Sequence, residues 1–235
     1  MTIERNWNIA LDEERILAVE GERLMRVLGR PDGRAAWDAA LEDARALARP
    51  AACWVFLPVE GIRHDRVVLS DGATLGGGPL AAVVAGATDL AVIVCTIGPG
   101  LETRAREHSR GGDMLRGLLL DTLGTWMVDA LRQEICRSLE ADACAAGLRV
   151  STALSPGESA WGLADQTVIF SLVDTRSIGV SLGASLLMTP VKSLSLVMGR
   201  GPGPLGREGE SHCDYCTMRD RCAYREHRDP SSGKD

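Results

Sequence analysis

The chain has 235 residues, 45% of them apolar and 25% charged, and a formal net charge of −6. That length holds one large domain or two small ones, with a substantial core either way. The acidic balance argues against a nucleic-acid surface spread over the whole molecule, and the 4% aromatic share leaves Ala, Leu and Val to do most of the packing.

The opening residues, MTIERNWNIALDEERI, hold no apolar core of signal-peptide length, and no apolar run long enough to span a membrane follows. The expectation is a cytoplasmic chain without membrane partners. Thiols stay reduced in that compartment, and seven cysteines, an odd number, make a poor disulfide framework. Clustered thiols therefore read as metal ligands or redox groups.

Residues 12–29, DEERILAVEGERLMRVLG, predict an amphipathic helix. Asp12 caps it, Gly29 stops it before Pro31, and Ile16, Val19, Leu24, Val27 and Leu28 form its apolar side. A second, Ala-rich helix is predicted over 34–48, ending before Pro50. CWVFLPV, from Cys53, reads as a strand; Val67–Leu69 is extended and leads to a turn at Asp71-Gly72. Gly76, Gly77 and Gly78 precede a short helix. They lack the Gly-Lys-Ser/Thr ending of a phosphate loop, and no G-x-G-x-x-G follows a strand, so a flexible turn is the reading.

Asp89–Gly98, DLAVIVCTIG, is a continuous apolar run and predicts a strand buried on both faces. From Asp113 to Ala146 the spacing of Leu115, Leu119, Leu123, Trp126, Ala130 and Ile135 predicts one long helix, capped by Asp113 and stopped by Gly147. Gly117 and Gly124 are unfavourable inside a helix and point to a closely packed neighbour. Cys136 and Cys144 lie on this helix and read as small buried thiols. After a loop, STALSPGESAWGL, a short helix is expected over ADQTVIFSLVD, with strands at SIGVSL and KSLSLVMG around MTPV. Strands and helices without strict alternation indicate an α+β fold: a mixed or antiparallel twisted sheet, flanking helices and one long central helix.

The domain division predicted is 1–200 as the main domain, 201–210 as a Gly/Pro linker whose one apolar side chain is Leu205, 211–228 as a Cys-rich tail, and 229–235 as a disordered end. In the tail, SHCDYCTMRDRCAYRE sets Cys213, Cys216 and Cys222 at C-x2-C-x5-C spacing. Two thiolates that close reach one ion from a tight turn, and three leave one position to fill. Zinc could take His212, awkwardly placed beside Cys213; an iron–sulfur cluster could use three cysteines and a further ligand. Cys53, Cys95, Cys136, Cys144 and His227 are the candidates for that ligand. Arg219, Arg221, Arg225 and Arg228 flank the site and would stabilise thiolates.

Three blocks, in this order, resemble the activation region of vitamin B12-dependent methionine synthase: CTIGPGLETRAREHSRGGDMLRGLLLDTLGTWMVDALRQEI, SPGESAWGLADQTVIFSLVD and SIGVSLGASLLMTPVKSLSLVMGRG. Stand-alone versions of that region are more similar to this chain than the large multidomain enzyme is, and some carry a cysteine cluster after the final strand. The resemblance implies a domain that binds S-adenosylmethionine and docks over cobalamin, where one electron and one methyl group restore an oxidised cofactor. The family places an Arg four residues before the Gly of a Pro-Gly-Tyr turn, to grip the ligand carboxylate. Pro156 and Gly157 are present here, but Ala153 holds the Arg position and Glu158 the Tyr position.

Binding of S-adenosylmethionine is accordingly expected to be weak or absent unless Arg149, four residues upstream, reaches in. The ligand-facing residues implied are Arg149, Ser155, Pro156, Gly157, Glu158 and Trp161, although for Trp161 covering the core is the favoured reading. No cobalamin-binding Asp-x-His-x-x-Gly motif occurs, so the corrinoid must sit on a partner. The resulting expectation is an accessory protein for reductive reactivation of a corrinoid-dependent methyltransferase, one part of a split methionine synthase. Its tail would hold an iron–sulfur or zinc centre, and ferredoxin or flavodoxin would be the electron donor. The alternative is a non-catalytic cobalamin cap with a structural zinc and no S-adenosylmethionine binding.

Overall fold

A computed structural model describes residues 1–158, 161–207 and 210–216. In chain order the elements are β1 (Thr2–Glu4), α1 (Glu13–Leu28), α2 (Pro31–Leu47), β2 (Ala51–Arg63), β3 (Arg66–Leu69), β4 (Thr74–Gly76), α3 (Leu80–Val83) and β5 (Asp89–Thr96). There follow α4 (Gly100–Arg110), α5 (Met114–Ala145), β6 (Arg149–Val150), α6 (Gln166–Leu172), β7 (Ser181–Leu182), β8 (Met188–Thr189) and β9 (Ser193–Gly201). The fold is α+β. One antiparallel sheet runs β4-β3-β2-β5-β9-β6, with β1 also paired to β2, and β7-β8 form a small separate ribbon.

Alternation along the three central strands explains how the sheet separates two cores. Ala91, Ile93 and Cys95 of β5 join Ala52, Trp54, Leu196 and Met198 on the face covered by α1, α2, α4 and α5. Leu90, Val92 and Val94 turn the other way, to Cys53, Val67, Leu69, Leu75, Leu80, Trp161 and Ile169. The apolar run that predicts a doubly buried strand is thus β5, at the middle of the sheet. β2 pairs with β5 along Ala51–Pro58 and with β3 from Val59 onward, with a register shift between Val59 and Gly61 that curls the sheet.

The helix caps follow the sequence. The Asp12 carboxylate accepts from the Arg15 amide at 2.9 Å and that of Asp113 from the Arg116 amide at 3.1 Å. α1 is broken at Gly21, whose φ of +67° and ψ of −158° leave the helical region, so it forms two pieces. α2 begins at Pro31, earlier than the predicted residue 34, because Pro supplies a preset first turn.

Three further differences have physical causes. α4 is absent from the sequence reading because GLETRAREHSR buries only Leu101 and Ala105, too few apolar residues to set a period. SIGVSL is not one strand: Thr175–Ile178 winds into a 3₁₀ turn, and only Ser181–Leu182 is extended. Cys144 is exposed rather than buried, since it lies one residue past the inward-facing Ala143 near the end of α5; Cys136 is half-buried.

Gly117 and Gly124 are tightly packed, as their cost in a helix implies. A Cβ at Gly117 would lie 2.4 Å from Ser109 Oγ and 2.9 Å from the Ala105 carbonyl oxygen, while one at Gly124 would meet Lys192 Cε at 3.2 Å. The α4–α5 crossing therefore depends on the missing methyl. Gly117→Ala is expected to lower stability by about 1–3 kcal/mol through this overlap, despite the roughly 1 kcal/mol of helix propensity it gains. Urea unfolding followed by circular dichroism checks the sign.

Candidate functional site

After β6 the chain stays along the sheet edge. The Ser151 amide donates to the Gly199 carbonyl, and Leu154 exchanges both backbone hydrogen bonds with Val197, at 3.0 and 2.8 Å. The chain then turns sharply. The Glu158 amide donates to the Ser155 carbonyl at 3.2 Å, Pro156 sits at the second turn position, and Gly157 takes the third with φ of +89°. This is the pattern of a type II turn, which requires positive φ at its third residue. Ser155 and Pro156 are buried, and Gly157 and Glu158 are exposed.

Ala153 points into the helical-side core and Leu154 into the opposite one, so the segment straddles the sheet edge. Arg149 is exposed and pairs with Gly201, four β9 positions from the Val197 that faces Leu154. At about 3.3 Å per strand residue that is roughly 13 Å along the edge, so the structure does not bring Arg149 to the turn.

Trp161 is 2% exposed and belongs to the second core. Its indole N–H donates to Asp165 Oδ2 at 2.8 Å. Asp165 also accepts from the Gly76 amide at 2.7 Å and from Arg66 Nη2 at 3.0 Å, and its own side chain is 12% exposed. Arg66 in turn donates to the carbonyls of Gly76 and Thr74. One carboxylate thus ties β3, β4 and the glycine turn at Gly76 to the segment that follows the Pro156-Gly157 turn. Sequence reasoning missed Asp165 and Arg66 because their partners lie 99 residues apart along the chain.

Cys213 and Cys216 sit on a 3₁₀ turn over His212–Tyr215, closed by the Cys216 amide donating to the Cys213 carbonyl at 3.2 Å. Both are partly exposed, and Tyr215 packs against the second core and donates to Glu210. Leu205, in the expected linker, is 8% exposed and lies against Gly86. Cys222, His227, Arg219, Arg221, Arg225 and Arg228 lie outside the described residues, as does the predicted disordered end at 229–235. Among the described residues no three His, Cys, Asp or Glu gather to hold an ion.

Cys53, Cys95 and Cys136 are ill suited to complete such a set, whereas Cys144 is exposed. Burial pushes Cys53 up to about 11 and, with Cys136 nearby, Cys95 up to about 12; burial likewise pushes Cys136 up to about 11, against a lowering by Arg132. Cys53 and Cys95 are fully buried on opposite sheet faces, and using either as a ligand would open a core.

A groove of about 440 Å³ lies elsewhere, between α4, the start of α5 and Val191-Lys192. Its lining includes Met114 and Leu118, four residues apart on the outer face of α5 and both exposed. Among the described residues no helix is long and apolar enough to cross a membrane.

No protein-family model matches the chain, and no curated protein matches it. Among solved structures, it is similar to the crystal structure of the MetH reactivation domain bound to AdoHcy. The TM-score is 0.61 with 12% sequence identity, over 88% of this chain and 81% of that one. The chain has the fold of that domain: a curled antiparallel sheet with helices packed upon it.

Two outcomes follow from this geometry. Asp165→Ala leaves the Gly76 and Trp161 N–H groups and the Arg66 guanidinium unmet. The expected cost is about 2–4 kcal/mol, held below the full buried-pair figure because Arg66 is partly solvated, and a urea midpoint measures it. Because folding raises these thiol pKa values above the ordinary thiol range, the unfolded chain releases protons first. The contribution of Cys53, Cys95 and Cys136 is therefore full below about pH 9 and is lost as pH climbs toward 11–12. Unfolding curves from pH 8 upward should show that decline, and it should shrink in a Cys95→Ala variant.

Proposed function

We propose that this protein is an accessory component for reductive reactivation of a corrinoid-dependent methyltransferase, acting as the separate reactivation subunit of a split methionine synthase. The observation that carries the reading is the likeness to a MetH reactivation domain along 88% of the chain, despite 12% identity. The retained Pro156-Gly157 turn on the sheet edge supports it. The corrinoid belongs to the partner, and the exposed side of the turn, at Gly157 and Glu158, is what would face it, since Ser155, Pro156 and Trp161 are buried.

That neighbour's bound AdoHcy supports an S-adenosyl compound as the ligand class proposed for this turn, against the weak binding that Ala153 and Glu158 lead the sequence to expect. The chain's own share of the work is positional. The type II turn fixes where Glu158 projects, Asp165 locks the backbone behind it, and the buried Ser155, Pro156 and Trp161 keep water from the inner side.

Cys213, Cys216 and Cys222 are the proposed ligands of an iron–sulfur or zinc centre. The first two fit that role, being accessible thiols on a single turn. An iron–sulfur centre would relay single electrons from a ferredoxin or flavodoxin; zinc would be structural. The domain division stands with this proposal: a body over 1–200, a connecting 201–210 and a thiol segment over 211–228.

A second reading is a cobalamin cap with structural zinc and no S-adenosyl binding. It is favoured by Ala153, which lies in the core where the family would present a cation.

The test is recovery of methyl transfer by a cobalamin methyltransferase that lacks an activation region, with its cobalt oxidised, given reductant and S-adenosylmethionine. Turnover should return only when this protein is added; no return on addition refutes the reactivation role. Cys213→Ser with Cys216→Ser should remove stoichiometric metal from anaerobically purified protein and leave the main unfolding transition in place. Iron and sulfide in the unaltered protein favour the relay, and zinc alone favours the cap.

A further inference from the structure

The groove between α4 and α5 carries more exposed apolar surface than a soluble chain needs. Met114 and Leu118 stand one helical turn apart on its α5 side, and Val191 stands at its end; all three are exposed. Single exposed apolar side chains are ordinary, but three around one hollow mark a contact surface. The α4 side is low, because Ala105 and Ser109 line it, and Gly117 puts no side chain between the two helices. A ridge of large side chains thus stands beside a hollow lined by small ones.

Four charges line the end of the groove at Val191-Lys192. The Glu102 carboxylate accepts from the Val191 amide at 2.7 Å and from Arg106 Nη2 at 3.3 Å, and Lys192 Nζ lies 2.9 Å from Asp121 Oδ1. Glu102 and Lys192 are nearly covered, whereas the side chains of Arg106 and Asp121 are 63% and 60% exposed. An open cation therefore stands on the α4 wall and an open carboxylate on the α5 wall, at the same end. Two cations and two carboxylates leave the groove neutral, in a chain whose net charge is −6.

We propose that a second copy of this chain docks in the groove, forming an isologous dimer. A two-fold axis along the groove lays the α5 rim of each copy over the α4 side of the other. Met114 and Leu118 then meet the small residues Ala105 and Ser109, a ridge set into a groove. The same rotation keeps level along the groove, so Arg106 of each copy comes opposite Asp121 of the other, twice by symmetry. The patch is thus complementary to itself in shape and in charge, which a surface built for a different protein has no need to be. Its local neutrality also lets two acidic chains approach there without like charges meeting.

Sedimentation equilibrium on the full chain should show a monomer–dimer equilibrium with a dissociation constant of about 1–100 μM, as befits a small, transient interface. Leu118→Glu should weaken it about tenfold or more and, because Leu118 is already exposed, leave the urea midpoint nearly unchanged. Arg106→Asp and Asp121→Arg should each weaken self-association to a similar degree, since each sets like charges opposite one another at both contacts. Mixing those two variants should restore the dimer, because only the mixed pair has opposite charges at both contacts; the strain each change causes within its own chain is carried equally by monomer and dimer. An unaltered chain that stays monomeric at every concentration, a dimer indifferent to Leu118→Glu, or no recovery on mixing each overturn the assignment. A monomeric chain whose Leu118→Glu variant alone fails to restore the cobalamin methyltransferase gives the groove to that enzyme instead, and likewise overturns it.

Discussion

Strand β5 is buried on both faces, and the rest of the molecule is arranged by that constraint. Its hydrogen bonds run to β2 on one side and β9 on the other along its whole length. Its side chains alternate between two separate cores. Leu90, Val92, Ile93 and Val94 are each fully buried, worth about 1.5–3 kcal/mol apiece on the usual area scale. A strand in that position demands apolar cover above and below. α5 with α2 and α4 supplies one cover, and the loop from Leu154 through α6 supplies the other. The candidate site lies where the chain passes from the first layer to the second around the sheet edge.

That crossing explains why the turn is rigid rather than a loose loop. Leu154 is hydrogen-bonded to β9 before it, and Asp165 is anchored to β3 and β4 after it. Ten residues separate the two anchors, and the type II turn at Pro156 and Gly157 reverses the chain between them. Gly157 is required there twice over, by its positive φ and by Leu163, which would lie 2.9 Å from an added Cβ. Site geometry set by two hydrogen-bonded anchors is of the kind that holds a polar group in a fixed direction at little entropic cost.

Much of the fold was legible in the sequence because its signals are local. Asp12 and Asp113 announce helix starts, the run from Asp89 announces a buried strand, and two costly glycines announce close packing, Gly117 against α4 and Gly124 against Lys192. α4 escaped because a surface helix with two buried residues carries no period, and the broken α1 escaped because one glycine in a helical pattern is more often tolerated than obeyed. The site was legible only as a turn. Pro156 and Gly157 identify it by chemistry alone, whereas the residues that brace it, Arg66 and Asp165, are joined by folding and leave no local pattern. Arg149 was the nearest cation along the chain, but an extended edge carries it away from the turn.

The distribution of charge around the turn is the remaining step. With Ala153 in the core and Arg149 roughly 13 Å back along the edge, no cation of that strand stands at the turn, which instead bears a carboxylate at Glu158. A negative group beside a buried sheet edge, with nothing opposite it, would only repel an anionic ligand. Arg132 stands on α5, a separate element whose position is fixed by the packing of Leu131 and Ile135. A cation placed by a helix is set by core packing, so it keeps its direction whether or not the turn is occupied.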